Sequence, residues 1–204
     1  MSSIDYSKYL QYLDFNPEIA YAIVTISFNP IFWNIVARLE FKNHFLTKLT
    51  GSPYRGCYLL AATIFSLGIY RDSIYHGALL NQPTYEPWLD NTIVKSLAIL
   101  LFSFGNILVL SSMYALGVTG TYLGDYFGIL MKERVEGFPF NIDNNPMYNG
   151  STLCFLATAL WYAKPMGILV SLFVFIMYKI ALLFEEPFTA FIYENRDIYE
   201  KKDL

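Results

Sequence analysis

From Ser96 to Gly124 the chain runs 29 residues without an Asp, Glu, Lys or Arg. About 20 predominantly apolar residues are enough to carry a helix across a bilayer, so this run has one natural environment, the hydrocarbon of a membrane. The rest of the chain agrees. Charged residues are 15% of the total, against about 25% in soluble domains, and the mean hydropathy is +0.37. Tyr and Phe number 17 each, as expected of a chain with rings at membrane–water interfaces. The same numbers exclude a disordered chain. A net charge of −3 leaves no basic footprint for nucleic acid. The two cysteines, Cys57 and Cys154, fall inside apolar runs and are expected as free thiols, not as a disulfide.

Reading the uncharged runs in order gives a map of four regions. The first is Ile19 to Ala37, in which Asn29-Pro30 is expected to break or bend the helix. The second, Gly56 to Tyr70, rises only about 22 Å as a helix, so it spans only with a snorkelling Arg71 or thinned lipid. The third is Ser96 to Gly124. The fourth, Asn144 to Phe184, contains Ala163-Lys164-Pro165, where Pro165 drives Lys164 out of helical geometry and makes a tight turn. Two antiparallel helices result, Met147 to Tyr162 and Met166 to Phe184, with a re-entrant first half as the alternative. The expected fold is all-α: a multi-pass integral membrane helical bundle of about four to five transmembrane or intramembrane helices, one domain over residues 1–204. The first 18 residues lack an apolar core and read as no cleaved signal, with the first span retained as the insertion signal. Lys and Arg concentrate between the first two spans (Arg38, Lys42, Lys48, Arg55), after the third (Lys132, Arg134) and in the tail (Arg196, Lys201, Lys202). The opposite set is Lys8, Arg71, Lys95 and Lys164. This bias places the C-terminus and the loop after the third span in the cytosol.

Three clusters are candidates for chemistry. Glu185-Glu186 follows the last apolar run and precedes Pro187. Two carboxylates at a helix C-terminus oppose the macrodipole, which marks either a solvated helix end or a site placed against local preference. Lys179, seven positions before Glu186, is placed either to pair with it or to snorkel. The second cluster is Asn145-Pro146-Met147-Tyr148-Asn149-Gly150, where Asn144 or Asn145 caps a helix and Pro146 takes its first position. If the last two helices form a hairpin, Tyr148 and the glutamates meet on one membrane face. The third is Gly117 to Gly128, with glycines at 120, 124 and 128 in the spacing of close helix packing, and Asp125 as the first charge after the long run. Gly105, after Phe104, is a further close-approach glycine. His44 and His76 stand alone, and no Cys or His spacing suggests a metal. No Gly-rich dinucleotide motif is present.

These residues fall into ordered blocks: Phe28-Asn-Pro-Ile-Phe-Trp-Asn-Ile-Val-Ala-Arg38, Val109-Leu-Ser-Ser112, Gly120-Thr-Tyr-Leu-Gly-Asp-Tyr-Phe-Gly-Ile-Leu130, Phe138-Pro-Phe-Asn141, Asn145-Pro-Met-Tyr148 and Glu185-Glu-Pro-Phe-Thr-Ala190. In these blocks the chain resembles the phosphatidylethanolamine N-methyltransferase family over about Phe28 to Arg196. The resemblance implies a membrane-embedded helical fold and S-adenosylmethionine as methyl donor. The membrane it implies is that of the endoplasmic reticulum, in some cases also mitochondrial. The substrate it implies is a phospholipid in the bilayer: the mono- and dimethyl forms of phosphatidylethanolamine, or that lipid itself, methylated to phosphatidylcholine. The family holds the donor with paired glutamates, which match Glu185 and Glu186, and with a Gly-x-Gly that aligns with Ser103-Phe104-Gly105, where serine replaces the first glycine. The Asn145-Pro146-Met147-Tyr148 block is also similar to the His-Pro-x-Tyr block of isoprenylcysteine carboxyl methyltransferases, where it helps enclose the donor. Donor-binding residues are therefore expected at Ser103, Phe104, Gly105, Asn145, Pro146, Tyr148, Glu185 and Glu186. The amine must shed a proton before it attacks. Glu186, held near Lys179, is the expected base, with Asp125 and Tyr148 as further catalytic residues by position. No metal and no nucleic acid are expected, and the oligomeric state is open. An isoprenylcysteine-type carboxyl methyltransferase and a non-enzymatic membrane scaffold remain the alternative readings.

Overall fold

A computed structural model describes residues 10–196, and among them every regular element is helical. Lys8, the first half of the N-terminal stretch read as no leader, and the tail lysines Lys201 and Lys202 lie outside the described residues. Helix α1 (Pro17–Asn43) starts under an Asn16 cap, whose side chain accepts the Ile19 N–H at 3.0 Å, with Pro17 in the first turn. It continues through Pro30 instead of breaking there, and past Ala37 to Asn43. Asn29 and Pro30 are buried inside the bundle, so packing outweighs the one hydrogen bond that the proline forfeits. His44, in the left-handed region at φ 51°, ends it. The fully buried Glu40 then accepts the N–H groups of Leu46 (2.7 Å) and Thr47 (3.2 Å), capping the short α2 (Phe45–Thr50) from the preceding helix.

Helix α3 (Pro53–Leu80) corrects the second expected span. It does not stop at Tyr70 but continues through Arg71 and Asp72 for 28 residues in all. Arg71 is 8% exposed and does not snorkel to an interface; its guanidinium is bonded inside the bundle. The single turn α4 (Glu86–Leu89) leads to α5 (Thr92–Thr121), capped by Asn91 and kinked at Gly117, which has φ 63° and ψ −178°. A 3-10 turn, Gly124–Phe127, follows. The glycines at 120, 124 and 128 are thus not a helix-packing stripe, because α5 ends between the first two. Gly124 instead lets the chain double back on Thr119, whose carbonyl oxygen would lie 2.7 Å from a Cβ there, and Gly128 takes φ 77°.

Helices α6 (Pro146–Trp161) and α7 (Pro165–Glu194) form the expected antiparallel hairpin. Lys164 is extended at φ −107°, ψ 103°, as a residue before proline should be. Its ammonium donates to the Gln82 carbonyl at 2.5 Å and to Thr84 Oγ1 at 3.0 Å, tying the turn to the end of α3. Burial draws that ammonium below its ordinary pKa. Gly105 of α5 and Gly150 of α6 meet backbone to backbone, each carbonyl oxygen 2.6 Å from where a Cβ on the other would stand. The bundle therefore has five long helices, α1, α3, α5, α6 and α7. Three segments, Pro17–Asn43, Thr92–Phe127 and Pro165–Glu194, are long and apolar enough to cross a membrane. The protein is an all-α membrane bundle. Cys57 and Cys154 are both free.

Candidate active site

The paired glutamates do not end a helix. α7 runs on through Pro187 to Glu194, so the argument from an opposed macrodipole falls away. Burial against α1 and α6 sets Glu185 apart instead. Its Oε2 accepts the Tyr148 hydroxyl at 2.7 Å and the Trp33 indole N–H at 3.2 Å, so three helices converge on one carboxylate. Tyr148 in turn packs edge-on against Tyr178, centroids 5.1 Å apart, and Trp33 tilts over Tyr148 at 6.3 Å. Glu186, one position on, points to the exposed side and accepts Asn145 Nδ2 at 2.9 Å. Asn145 does occupy the cap position of α6 with Pro146 next, but its side chain goes to Glu186 and not to the helix N–H groups. Asp143 orders the approach, accepting the Asn145 N–H (2.9 Å) and Asn149 Nδ2 (2.7 Å).

One turn beyond Glu185, Thr189 donates to Asp125 at 2.9 Å. Tyr126 beside it stacks on Phe188, centroids 5.1 Å apart. Arg38 lies over that same Phe188 ring at 5.0 Å and donates to the Phe184 carbonyl at 2.6 Å. The structure thus gathers Asp125, Asn145, Pro146, Tyr148, Glu185 and Glu186 at one end of the bundle. Lys179 is not with them: its ammonium sits 5.2 Å from the centroid of Phe175, so the reason for choosing Glu186 as base is gone. Ser103 and Phe104 are not with them either. Both face outward on α5, Phe104 at 47% exposure, while Gly105 is buried against α6.

From Glu185 a cavity of about 550 Å³ runs into the bundle between α1, α3, α5, α6 and α7. Its walls carry Trp33, Tyr148 and Tyr178 at one end, apolar side chains of α3 and α5 along one side, and Arg71, Asp72 and His76 deeper in. Arg71 donates to Tyr178 Oη at 2.7 Å, and Tyr178 shares a 3.1 Å hydrogen bond with Ser151. Reading charges as span ends hid Arg71 and Asp72. The signal that could have found them is the shortfall of the second run itself, since a helix of about 22 Å has to continue through the next residues to cross. Trp33 stood in a quoted block, but nothing in sequence marks an indole N–H as a carboxylate donor. Among the described residues no three His, Cys, Asp or Glu gather as a metal site would need.

An apolar helical bundle with a carboxylate at one end of its cavity defines an integral membrane protein with a site of small-molecule size. Residues 93–196 match the phospholipid methyltransferase family, and the chain belongs to that family. It is 63% identical over 88% of its length to the phosphatidyl-N-methylethanolamine N-methyltransferase of Saccharomyces cerevisiae, of which 87% is covered. The enzyme of that name from Emericella nidulans is 59% identical, with 91% of both chains covered. The phosphatidylethanolamine N-methyltransferase of Homo sapiens is 48% identical over 93% of this chain and 96% of its own. No solved structure matches the chain significantly.

Proposed function

We propose that the chain is a single membrane-embedded domain that transfers methyl groups from S-adenosylmethionine to the amine headgroup of phosphatidylethanolamine derivatives, ending at phosphatidylcholine. The observation that carries this reading is the Glu185 carboxylate, fixed by Tyr148 and Trp33 at the end of a cavity that opens among membrane helices. The cavity's volume lies within the roughly 300–1,000 Å³ usual for small-molecule sites. Its chemistry suits a cationic donor. Glu185 supplies negative charge, and Trp33, Tyr148 and Tyr178 supply ring faces, to which cations are drawn when water is excluded. Thr121 Oγ1, buried and without a partner, is a further hydrogen-bonding group on the wall.

In this reading Glu185 grips a donor ammonium or ribose group, and Tyr148 and Trp33 hold the carboxylate in one rotamer. Glu186 with Asn145, and Asp125 with Thr189, flank the entrance. The donor, when bound, supplies an electrophilic methyl on a positive sulfur. What the protein adds is orientation of the amine and a place for its proton. The substrate's two-sidedness accounts for the setting: its headgroup enters the cavity while its chains stay in lipid. The loop 128–145 and the entrance lie on the cytosolic face, where Arg38, Lys42, Lys48 and Arg55 also gather, and the membrane is that of the endoplasmic reticulum.

The test uses membranes containing the protein, donor labelled on its methyl group, and phosphatidylethanolamine or its mono- or dimethyl form added in turn. Label in the next methylated lipid is the expected result. Label in none of the three, with the protein present and binding donor, overturns the reading.

A further inference from the structure

We propose that Asp72 is the carboxylate that receives the lipid amine and takes its proton, an assignment that rests on the methyltransferase reading above. Asp72 sits on the cavity wall in α3, eight residues before the helix ends, inside a bundle whose other long helices include three apolar enough to cross a membrane. An ionisable side chain inside a membrane bundle needs a partner. Asp72 has one on one side only. Arg71 Nε and Nη2 both reach Oδ1, each at 2.9 Å, while Oδ2 has no partner among the described residues. Its side chain is 58% exposed and lines the cavity. Arg71 is itself buried and anchored to Tyr178 at 2.7 Å and over the Phe155 ring at 5.0 Å, so the carboxylate is held from behind by a rigid group.

The location suits the amine and not the part of the donor held at Glu185. Tyr178, which touches Arg71, is two helical turns from Glu185 on α7, about 10 Å along the axis. A donor gripped at Glu185 thus extends toward Asp72, with the acceptor on the far side. Along that far side the wall is formed by Phe65, Ile69 and Phe102, which are half-exposed and open toward lipid between α3 and α5. Acyl chains leave there without crossing a polar surface.

An alkylamine with a pKa near that of lysine is neutral in only about one molecule in 2,500 at pH 7, so the ammonium first gives a proton to Oδ2 of Asp72. The nitrogen lone pair then forms the new N–C bond while the methyl–sulfur bond breaks, its electron pair remaining on sulfur. The proton leaves by His76, one turn further on the same wall, whose Nε2 lies 3.1 Å from Tyr162 Oη at the exposed end of the bundle. The other groups facing Asp72 are Arg71 on its own helix, the Cys154 thiol of α6 with Asn106 of α5 bonded to it at 3.4 Å, and Tyr178 of α7.

The experiment compares Asp72→Asn and Asp72→Glu with the unaltered protein in isolated membranes, reading donor affinity by equilibrium binding and turnover on dimethylated lipid from pH 6 to 10. Loss of a general base costs about 10²- to 10⁴-fold. Asp72→Asn is expected to lose that much turnover at pH 7, to bind donor within about twofold of normal, and to recover as pH rises and the amine loses its proton unaided. Asp72→Glu is expected to keep about a tenth or more of the turnover. Near-normal turnover in Asp72→Asn, a parallel loss of donor affinity in a folded protein, or a folded Asp72→Glu no better than Asp72→Asn each overturns the assignment. A measurement on the unaltered protein covers the case in which Asp72→Asn does not fold. Phosphatidylcholine vesicles, which carry the cation but no transferable proton, should compete with the lipid substrate, and phosphatidylglycerol vesicles should not. Equal competition by both overturns it. If the unaltered protein methylates none of the amine lipids, the proposed function fails; if it does and the variants match it, only Asp72 is wrong.

Discussion

Replacing Gly150 by alanine tests the closest approach of two helix backbones at a glycine. The new Cβ would stand 2.6 Å from the Gly105 carbonyl oxygen, 2.9 Å from Leu108 Cβ and 3.2 Å from Val109 Cγ2. An ordinary contact is 3.4 Å or more, so the two helices must part by close to 1 Å, and the nearest obstacle is backbone, which cannot rotate away. Overpacking of this kind costs about 1–3 kcal/mol. Helix pairs in lipid have no hydrophobic force to restore the contact, since hydrocarbon on either side is equivalent. For a chain of this size the cost converts to a drop of about 2–12 °C in Tm. The control is Gly77→Ala in α3, where nothing lies within 4 Å of the added methyl. There the helix gains up to about 1 kcal/mol from the residue's propensity. Thermal unfolding of both variants in the same detergent is the assay. A Gly150→Ala protein as stable as the unaltered one, or a Gly77→Ala protein equally damaged, would refute the reasoning from close approach.

Ser103→Gly should leave methyl transfer within about threefold of normal, because Ser103 points away from the cavity; a loss beyond tenfold at normal protein level would show that it makes a specific contact. Glu40→Ala should cost about 3–5 kcal/mol, since it strands the Leu46 and Thr47 N–H groups in a buried site, and a protein that unfolds at the normal temperature would contradict the capping role. Glu185→Gln should weaken donor binding about tenfold to a hundredfold, one charge-assisted hydrogen bond being worth roughly 1.5–3 kcal/mol. Glu186→Gln should do distinctly less, because Glu186 is exposed and bonded to Asn145 alone; equal effects in equilibrium binding would contradict the ranking.

Apolar runs and proline positions made the elements readable: the hairpin at Lys164-Pro165, the Asn145-Pro146 start of α6 and the uncharged body of α5 all follow from local chemistry. What misled was the rule that a charge ends a span. It failed at Arg71, where α3 goes on for nine residues, and at Glu185, where α7 goes on for nine more. In both cases the charge is satisfied from another helix, Arg71 by Tyr178 and Glu185 by Tyr148 and Trp33. Such partners lie 107, 37 and 152 positions away, beyond the reach of any local pattern. The glycines at 120, 124 and 128 failed for the opposite reason. A spacing that suits helix packing also suits a tight reversal, and Leu123 in the left-handed region decides for the reversal. The resemblance supplied the glutamate pair, but only the side-chain geometry separates Glu185, which lines the cavity, from Glu186, which does not.

The inequality of the hairpin's two arms is what makes room for the site. α6 has 16 residues and rises about 24 Å, while α7 has 30 and rises about 45 Å from the same turn. α6 therefore starts level with the upper part of α7, and its first turn brings Tyr148 to Glu185 and Asn145 to Glu186. The last turns of α7 would be bare on that side were they not covered by the 3-10 segment Gly124–Phe127, which lays Tyr126 on Phe188 and Asp125 against Thr189. The reversal that the glycines permit is thus the reason a second carboxylate reaches the entrance. A full-length α6 would bury Glu185 between helices with no way in from water. A straight α5 would take Asp125 away from α7. In the proposed reaction the short helix and the early turn leave the cavity's end to a soluble donor and its side to the lipid, and a reaction between one of each needs both openings.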